Sequence, residues 1–225
     1  MTTPSVESKS VKPWLPFGAA AVTVVLWASA FVGIRSAGHD LSAGPLALAR
    51  LLVGSVVLGL VVTFRRERRP RRRDLPGIVL VGILWLGAYN VLLNAGERKV
   101  DAGTAAMVVN VGPIIIAIVA GLLLKEGFPR PLVIGACVSF LGAAVIGLAT
   151  RSHAGTSTSG VMLCLLAALA YAGGVISQKP LLARVSALQV TWLACTVGAI
   201  VCLPYAPSLI RELPHARGGA IAWAV

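Results

Sequence analysis

Residues Ala47 to Asp74 read ALARLLVGSVVLGLVVTFRRERRPRRRD, an apolar run that stops abruptly at seven arginines within the ten residues Arg65–Asp74. The apolar part decides the fold. Crossing a hydrocarbon core about 30 Å thick takes about 20 mainly apolar residues at about 1.5 Å each, and Pro45–Phe64 has that length. Lipid offers no partner to a free backbone group, so only helices and closed barrels span it. Barrel strands alternate apolar and polar residues. This run does not alternate, so it reads as a membrane helix.

Six more segments pass the same test: Pro16–Ile34, Leu75–Ala95, Ala102–Leu124, Pro131–Ala149, Ser159–Gln178 and Ala187–Ala206. The apolar run GGAIAWAV from Gly218 onward reads as the start of an eighth span. The composition agrees: 57% of the 225 residues are hydrophobic and 12% charged, against about 25% charged in soluble domains, and the mean hydropathy is +0.86. The polar segment Met1–Lys12 could be mistaken for the start of a signal peptide. The run after it is too long for the apolar region of such a peptide and lacks a cleavage motif, so an uncleaved first span is expected.

The arginine run sets the expected topology. If the N-terminus is cytoplasmic, one side holds Lys9, Lys12, the seven arginines at 65–73, Lys125, Arg130, Lys179 and Arg184, and the other holds Arg35, Arg98, Lys99, Arg151, Arg211 and Arg217. That is 13 against 6, and the positive-inside rule places the richer side in the cytoplasm. A short loop between two spans has no room to wrap nucleic acid, and no aromatic residues interleave to stack on bases. The run is therefore read as a topological anchor that also attracts anionic lipid, with no nucleic-acid partner despite the net charge of +12.

Cys137, Cys164, Cys195 and Cys202 fall inside spans without a CxxC pair and read as small buried apolar groups. His39, His153 and His215 sit in separate loops without a metal-ligand spacing. Neither a metal site nor a cofactor is expected.

Sliding the sequence by 144 residues places WASAFVGIR (Trp27–Arg35) over YAGGVISQK (Tyr171–Lys179), and SAGPLALAR (Ser42–Arg50) over SALQVTWLA (Ser186–Ala194). Aromatic falls on aromatic, small on small and base on base. Five spans separate the copies, so the second enters the membrane from the opposite side. Inverted repeats of this kind build many secondary transporters, with the solute site near the midplane. The expected fold is an all-α polytopic bundle of two inverted five-helix repeats, residues 1–150 and an incomplete 151–225, with ten spans expected in the full-length form.

The stretches LWASAFVGIR and GPLALAR, and above all DAGTAAMVVNVGPIIIAIVAGLLLKEGFPRPLVIGACVSFLGAAVIGL (Asp101–Leu148), resemble the EamA family of the drug/metabolite transporter superfamily. The features carrying the resemblance are Pro113, Glu126 and the glycines Gly135, Gly142 and Gly147, in that order and spacing. It implies ten spans, cytoplasmic termini, and movement of small metabolites or drugs across the cell membrane without ATP.

Polar groups at membrane depth usually face a cavity or a partner. Asp40, Glu97, Asp101, Glu126 and Glu212 lie in loops or at helix ends, where solvation is the default, and Glu126 reads as structural. Arg50 is the one charged residue well inside a span. It either snorkels to the interface or serves as counter-charge to an anionic solute group, and the family often shows arginine here. Asn90 and Asn94 share a helix face. Asn110 precedes Pro113, which leaves the Val109 carbonyl without its usual donor. These asparagines either hydrogen-bond between helices or meet a polar solute. Trp27 and Tyr171 lie too deep for interfacial anchors and suit a cavity wall or space-filling between helices. The stripe Gly135, Ser139, Gly142 reads as close helix packing.

The sequence thus points to a secondary transporter, expected to be an exporter working by alternating access on a small-molecule solute, with a homodimer compatible. The alternative is a seven-span receptor or sensor. An enzyme is not expected, because no paired carboxylates, activated nucleophile or metal-ligand set is present.

Overall fold

The computed structural model describes residues 14–67, 69–123, 127–149, 157–216 and 218. Every regular element among them is helical. In chain order they are α1 (Leu15–Ala37), α2 (Ala43–Phe64), α3 (Arg72–Glu97), α4a (Ala102–Val109), α4b (Val111–Leu123), α5 (Arg130–Ala149), α6 (Thr158–Leu182), α7 (Ala187–Cys202) and α8 (Ala206–Glu212). Five stretches are long and apolar enough to cross a membrane: Ala43–Phe64, Arg72–Glu97, Gly103–Leu122, Thr158–Leu182 and Ala187–His215. Shorter apolar helices cover Phe17–Leu26 and Arg130–Val145. Each of the seven expected spans is therefore occupied by a helix, as in an all-α membrane protein. Glu126, the surroundings of Gly147 and the apolar run after Gly218 lie outside the described residues.

Local chemistry explains where the helices start and break. Pro113 has no N–H to offer the Val109 carbonyl, and the fourth span is interrupted at Asn110. Asp101 caps α4a: its carboxylate accepts from the Thr104 amide at 2.8 Å and the Thr104 hydroxyl at 2.7 Å. Burial opposes the charge, but those hydrogen bonds outweigh it and hold the carboxyl below its ordinary range. Ser42 and Ser186, 144 residues apart, occupy the N-cap positions of α2 and α7 with extended backbones. Ser186 Oγ accepts from the Gln189 amide at 3.2 Å. Ser42 instead donates its amide and its hydroxyl to the two oxygens of Glu212, each at 2.7 Å. Glu212 was expected to be solvated; it ties α8 to the start of α2.

Such contacts sort the loops between two ends. The start of α3 meets the α6–α7 turn through Asp74 and Arg184, 2.9 Å apart. At the opposite end Ser42 meets Glu212, Lys99 Nζ donates to Ser159 Oγ at 3.3 Å, and Arg98 donates to the Leu41 carbonyl at 3.4 Å.

Between helices in lipid, association rests on close packing of small residues rather than on a hydrophobic drive. The buried face of α6 carries Ala167, Ala168, Ala172 and Gly174. A Cβ added at Gly174 would lie 2.6 Å from Trp85 Cβ and 3.2 Å from the Trp85 amide nitrogen on α3. Those atoms are on or next to backbone, so the helices themselves would have to part. Gly174→Val is expected to cost about 1–3 kcal/mol, read as a lower unfolding temperature in detergent; an unchanged midpoint would refute this packing. The stripe on α5 is different from the sequence expectation: Gly135, Ser139 and Gly142 are exposed, and a Cβ at either glycine meets nothing within 4 Å. Among the described residues the stripe meets no neighbouring helix.

Candidate solute site among α1, α2, α3, α6 and α7

The middle of α3, Gly82–Tyr89, is wound as a π-helix, a wide-turned form that is rare and concentrated at functional sites. Where such a segment returns to α spacing one backbone carbonyl is passed over, and a buried carbonyl needs a donor. Asn90 Nδ2 donates to the Leu86 carbonyl at 2.9 Å and reaches that of Trp85 at 3.4 Å. The glycines on this segment let neighbours approach: a Cβ at Gly82 would stand 2.6 Å from Val197 Cβ on α7. The widened turns present Trp85 and Tyr89 to the space between helices.

That space is a cavity of about 230 Å³. Ile34 of α1, Val81, Leu86 and Leu93 of α3 and Ala194 of α7 give it apolar walls, with the rings of Trp85 and Tyr89 between them. Its polar groups are Arg50 of α2, Asn90, Gln178 of α6 and Thr191 of α7. Arg50 lies seven residues into α2, roughly 10 Å along the helix axis. It lines the cavity. Glu97 attracts it through space, yet among the described residues no group accepts a hydrogen bond from its guanidinium.

Tyr171 is not among the described lining residues of this cavity. It stands behind the wall, edge-on to Trp85 at 5.7 Å between ring centroids and tilted against Tyr89 at 5.6 Å. Pairs of this geometry hold rings in place beyond simple burial, so Tyr171 fixes the two aromatic residues that do face the cavity. Gly112 of α4b makes room for it, since a Cβ there would lie 2.8 Å from the Tyr171 ring. Asn110 donates to the Ala106 carbonyl of its own helix at 2.8 Å, a bond within one helix rather than between two.

Asn94 belongs to a neighbouring cavity of about 290 Å³ at the end opposite the arginine loop, with His39, Glu97 and Arg98; Ile34 lines both spaces. Its amide donates to the Ala43 carbonyl at 3.1 Å. That bond fixes the orientation of the amide, and Oδ1, buried in a residue only 3% exposed, has no partner among the described residues. Trp27 lies on α1, but its side chain is outside the described residues. Sequence reasoning missed Trp85, Tyr89, Gln178 and Thr191. The two aromatics carried the signal already applied to Trp27 and Tyr171: rings too far from a helix end to serve as interfacial anchors.

An all-helical bundle with five membrane-length helices and a mixed aromatic and polar cavity between them is a polytopic membrane protein. Residues 15–148 match the EamA-like transporter family. The chain is 38% identical over 204 residues to the "Probable terminal-alkyne amino-acid exporter" of Streptantibioticus cattleyicolor, covering 91% of this chain and 68% of that protein. It is 33% identical over 196 residues to the uncharacterized transporter YdfC of Bacillus subtilis, covering 87% and 64%. It is 29% identical over 203 residues to an uncharacterized transporter of Archaeoglobus fulgidus, covering 90% and 70%. The chain belongs to the EamA-like transporter family of the drug/metabolite transporter superfamily. No solved structure matches it.

Proposed function

We propose that the protein is a secondary transporter that exports a small organic carboxylate with an apolar body, such as an amino acid, across the cell membrane by alternating access. The observation that carries this reading is Arg50: a guanidinium about 10 Å into the membrane by helix rise, lining a cavity, with no described hydrogen-bond acceptor. A charge at that depth is costly unless something meets it, and a planar fork of donors matches a carboxylate. Trp85 and Tyr89 offer faces for the apolar part of the solute. The first relative's name, an amino-acid exporter, supports both the solute class and the direction.

The two ends support the orientation. The loop bearing the seven arginines and the turn bearing Arg184 lie at one end, which is cytoplasmic in this reading. The inverted repeat is supported by the N-cap serines at Ser42 and Ser186: they begin α2 and α7 at opposite ends of the bundle, 144 residues apart. The family match ending at residue 148 supports a first unit of 1–150.

The test is efflux from proteoliposomes loaded with labelled hydrophobic amino acids, their methyl esters and their decarboxylated amines. Export of the acids well above protein-free vesicles, with esters and amines left behind, is expected. Equal leakage of all three would sink the carboxylate reading. Cysteine labelling of the loop at 65–74 from outside intact cells would overturn the orientation alone.

A further inference from the structure

A third cleft, of about 370 Å³, lies at the arginine end, apart from the solute cavity. Arg69 and Arg71 line it from the loop before α3, Arg73 from the first turn of α3, and Arg184 from the turn after α6. Two carboxylates share it. Asp74, 1% exposed, is paired with Arg184 Nε at 2.9 Å, and Glu67 is the second. Ser186, the N-cap of the 16-residue helix α7, completes the rim and adds the partial positive charge of a helix start. Transport through the solute cavity uses none of these groups.

We infer that this cleft binds the phosphate of an anionic membrane lipid and thereby ties the two halves of the bundle together at that end. Arginine forks match phosphate oxygens two at a time. The depth selects a lipid: Phe64, the last residue of α2, is 83% exposed and the arginines begin at the next position, while Leu75, at the start of the α-helical turns of α3, is 41% exposed. The cleft therefore sits where an apolar lipid-facing surface gives way to charge, the level of the headgroups. On the orientation proposed above, this is the leaflet with the negative surface potential. One wall comes from the α2–α3 loop and the other from the α6–α7 turn, so a bound headgroup bridges both.

The experiment is thermal unfolding of the purified protein in neutral detergent, titrated with phosphatidylglycerol, phosphatidylcholine or soluble glycerol phosphate. Phosphatidylglycerol is expected to raise the midpoint saturably and phosphatidylcholine to leave it unmoved. Arg71→Gln combined with Arg73→Gln should raise the half-saturating lipid about 25-fold, about fivefold for each arginine that loses its phosphate hydrogen bonds. Arg65→Gln with Arg72→Gln removes the same charge outside the cleft and should shift it less than about twofold. Equal shifts from the two pairs, or equal protection by phosphatidylcholine, would overturn the site. Glycerol phosphate protecting as well as the lipid would replace the lipid with a soluble phosphate. Should a double variant not fold, Arg71→Gln alone, read by native mass spectrometry of bound lipid, decides the same question. Neither readout depends on transport, so failure here leaves the proposed function standing and failure there leaves the cleft.

Discussion

Arg50→Ala is expected to lower carboxylate export at least about thirtyfold per molecule, while the amount of folded protein in the membrane holds. Removing one member of a desolvated charge pair costs about 2–5 kcal/mol, and about 1.4 kcal/mol is tenfold. The variant should fold because the guanidinium holds no described structural hydrogen bond; what it loses is the solute's counter-charge. Arg50→Lys keeps the charge without the planar fork and should fall between the two. Efflux of the acid and of its methyl ester, measured side by side, separates the roles. The ester cannot use the guanidinium as a counter-ion, so whatever slow leak it shows should be the same in wild type and variant. A drop of equal size for acid and ester would make Arg50 a packing residue and leave the cavity without its defining group.

The placement of the helices was legible because hydrocarbon imposes a length and forbids unpaired backbone: each of the seven expected spans holds a helix, and five of these are long and apolar enough to cross a membrane. The break before Pro113 was legible for a similar reason: it depends on a donor missing four residues from its acceptor. The site was only partly legible. Arg50 and Asn90 line the cavity, since depth alone marks a polar group as unusual. Asn94, four residues on, opens on a different cavity, Asn110 bonds to its own helix, and Tyr171 stands behind the wall. One-dimensional spacing cannot tell these outcomes apart.

The π-helical segment was hidden because its contacts are spread over three helices. Gly82 lies against α7 and Gly174 of α6 lies against Trp85, contacts that no period in residues 82–89 announces. The contacts that tie the ends were hidden by distance along the chain. Ser42 and Glu212 are 170 residues apart, and a serine before a helix reads as self-sufficient. The charge on Glu212 gave no hint that it would serve a helix from the other half of the chain.

Asp74 and Arg184 show the same limit, and removing one of them should have the larger structural effect. Arg184→Ala leaves the Asp74 carboxylate, 1% exposed, without the cation 2.9 Å away. Breaking a fully buried pair in this way costs about 3–5 kcal/mol. Arg184 is 44% exposed, so solvent already screens part of the attraction, and Asp74 sits at the start of α3, where the helix dipole favours a negative charge. Both effects reduce the expected loss to about 2–3 kcal/mol, still a large share of the roughly 5–15 kcal/mol that holds a typical fold. The cost comes from the stranded carboxylate rather than from the lost attraction, so Arg184→Ala combined with Asp74→Asn should recover most of it. Unfolding midpoints in neutral detergent without added lipid measure this apart from any occupant of the arginine cleft. A single variant as stable as wild type would show that water reaches Asp74. A double variant no better than the single would place the role of Arg184 in packing the α6–α7 turn instead of in neutralising its partner.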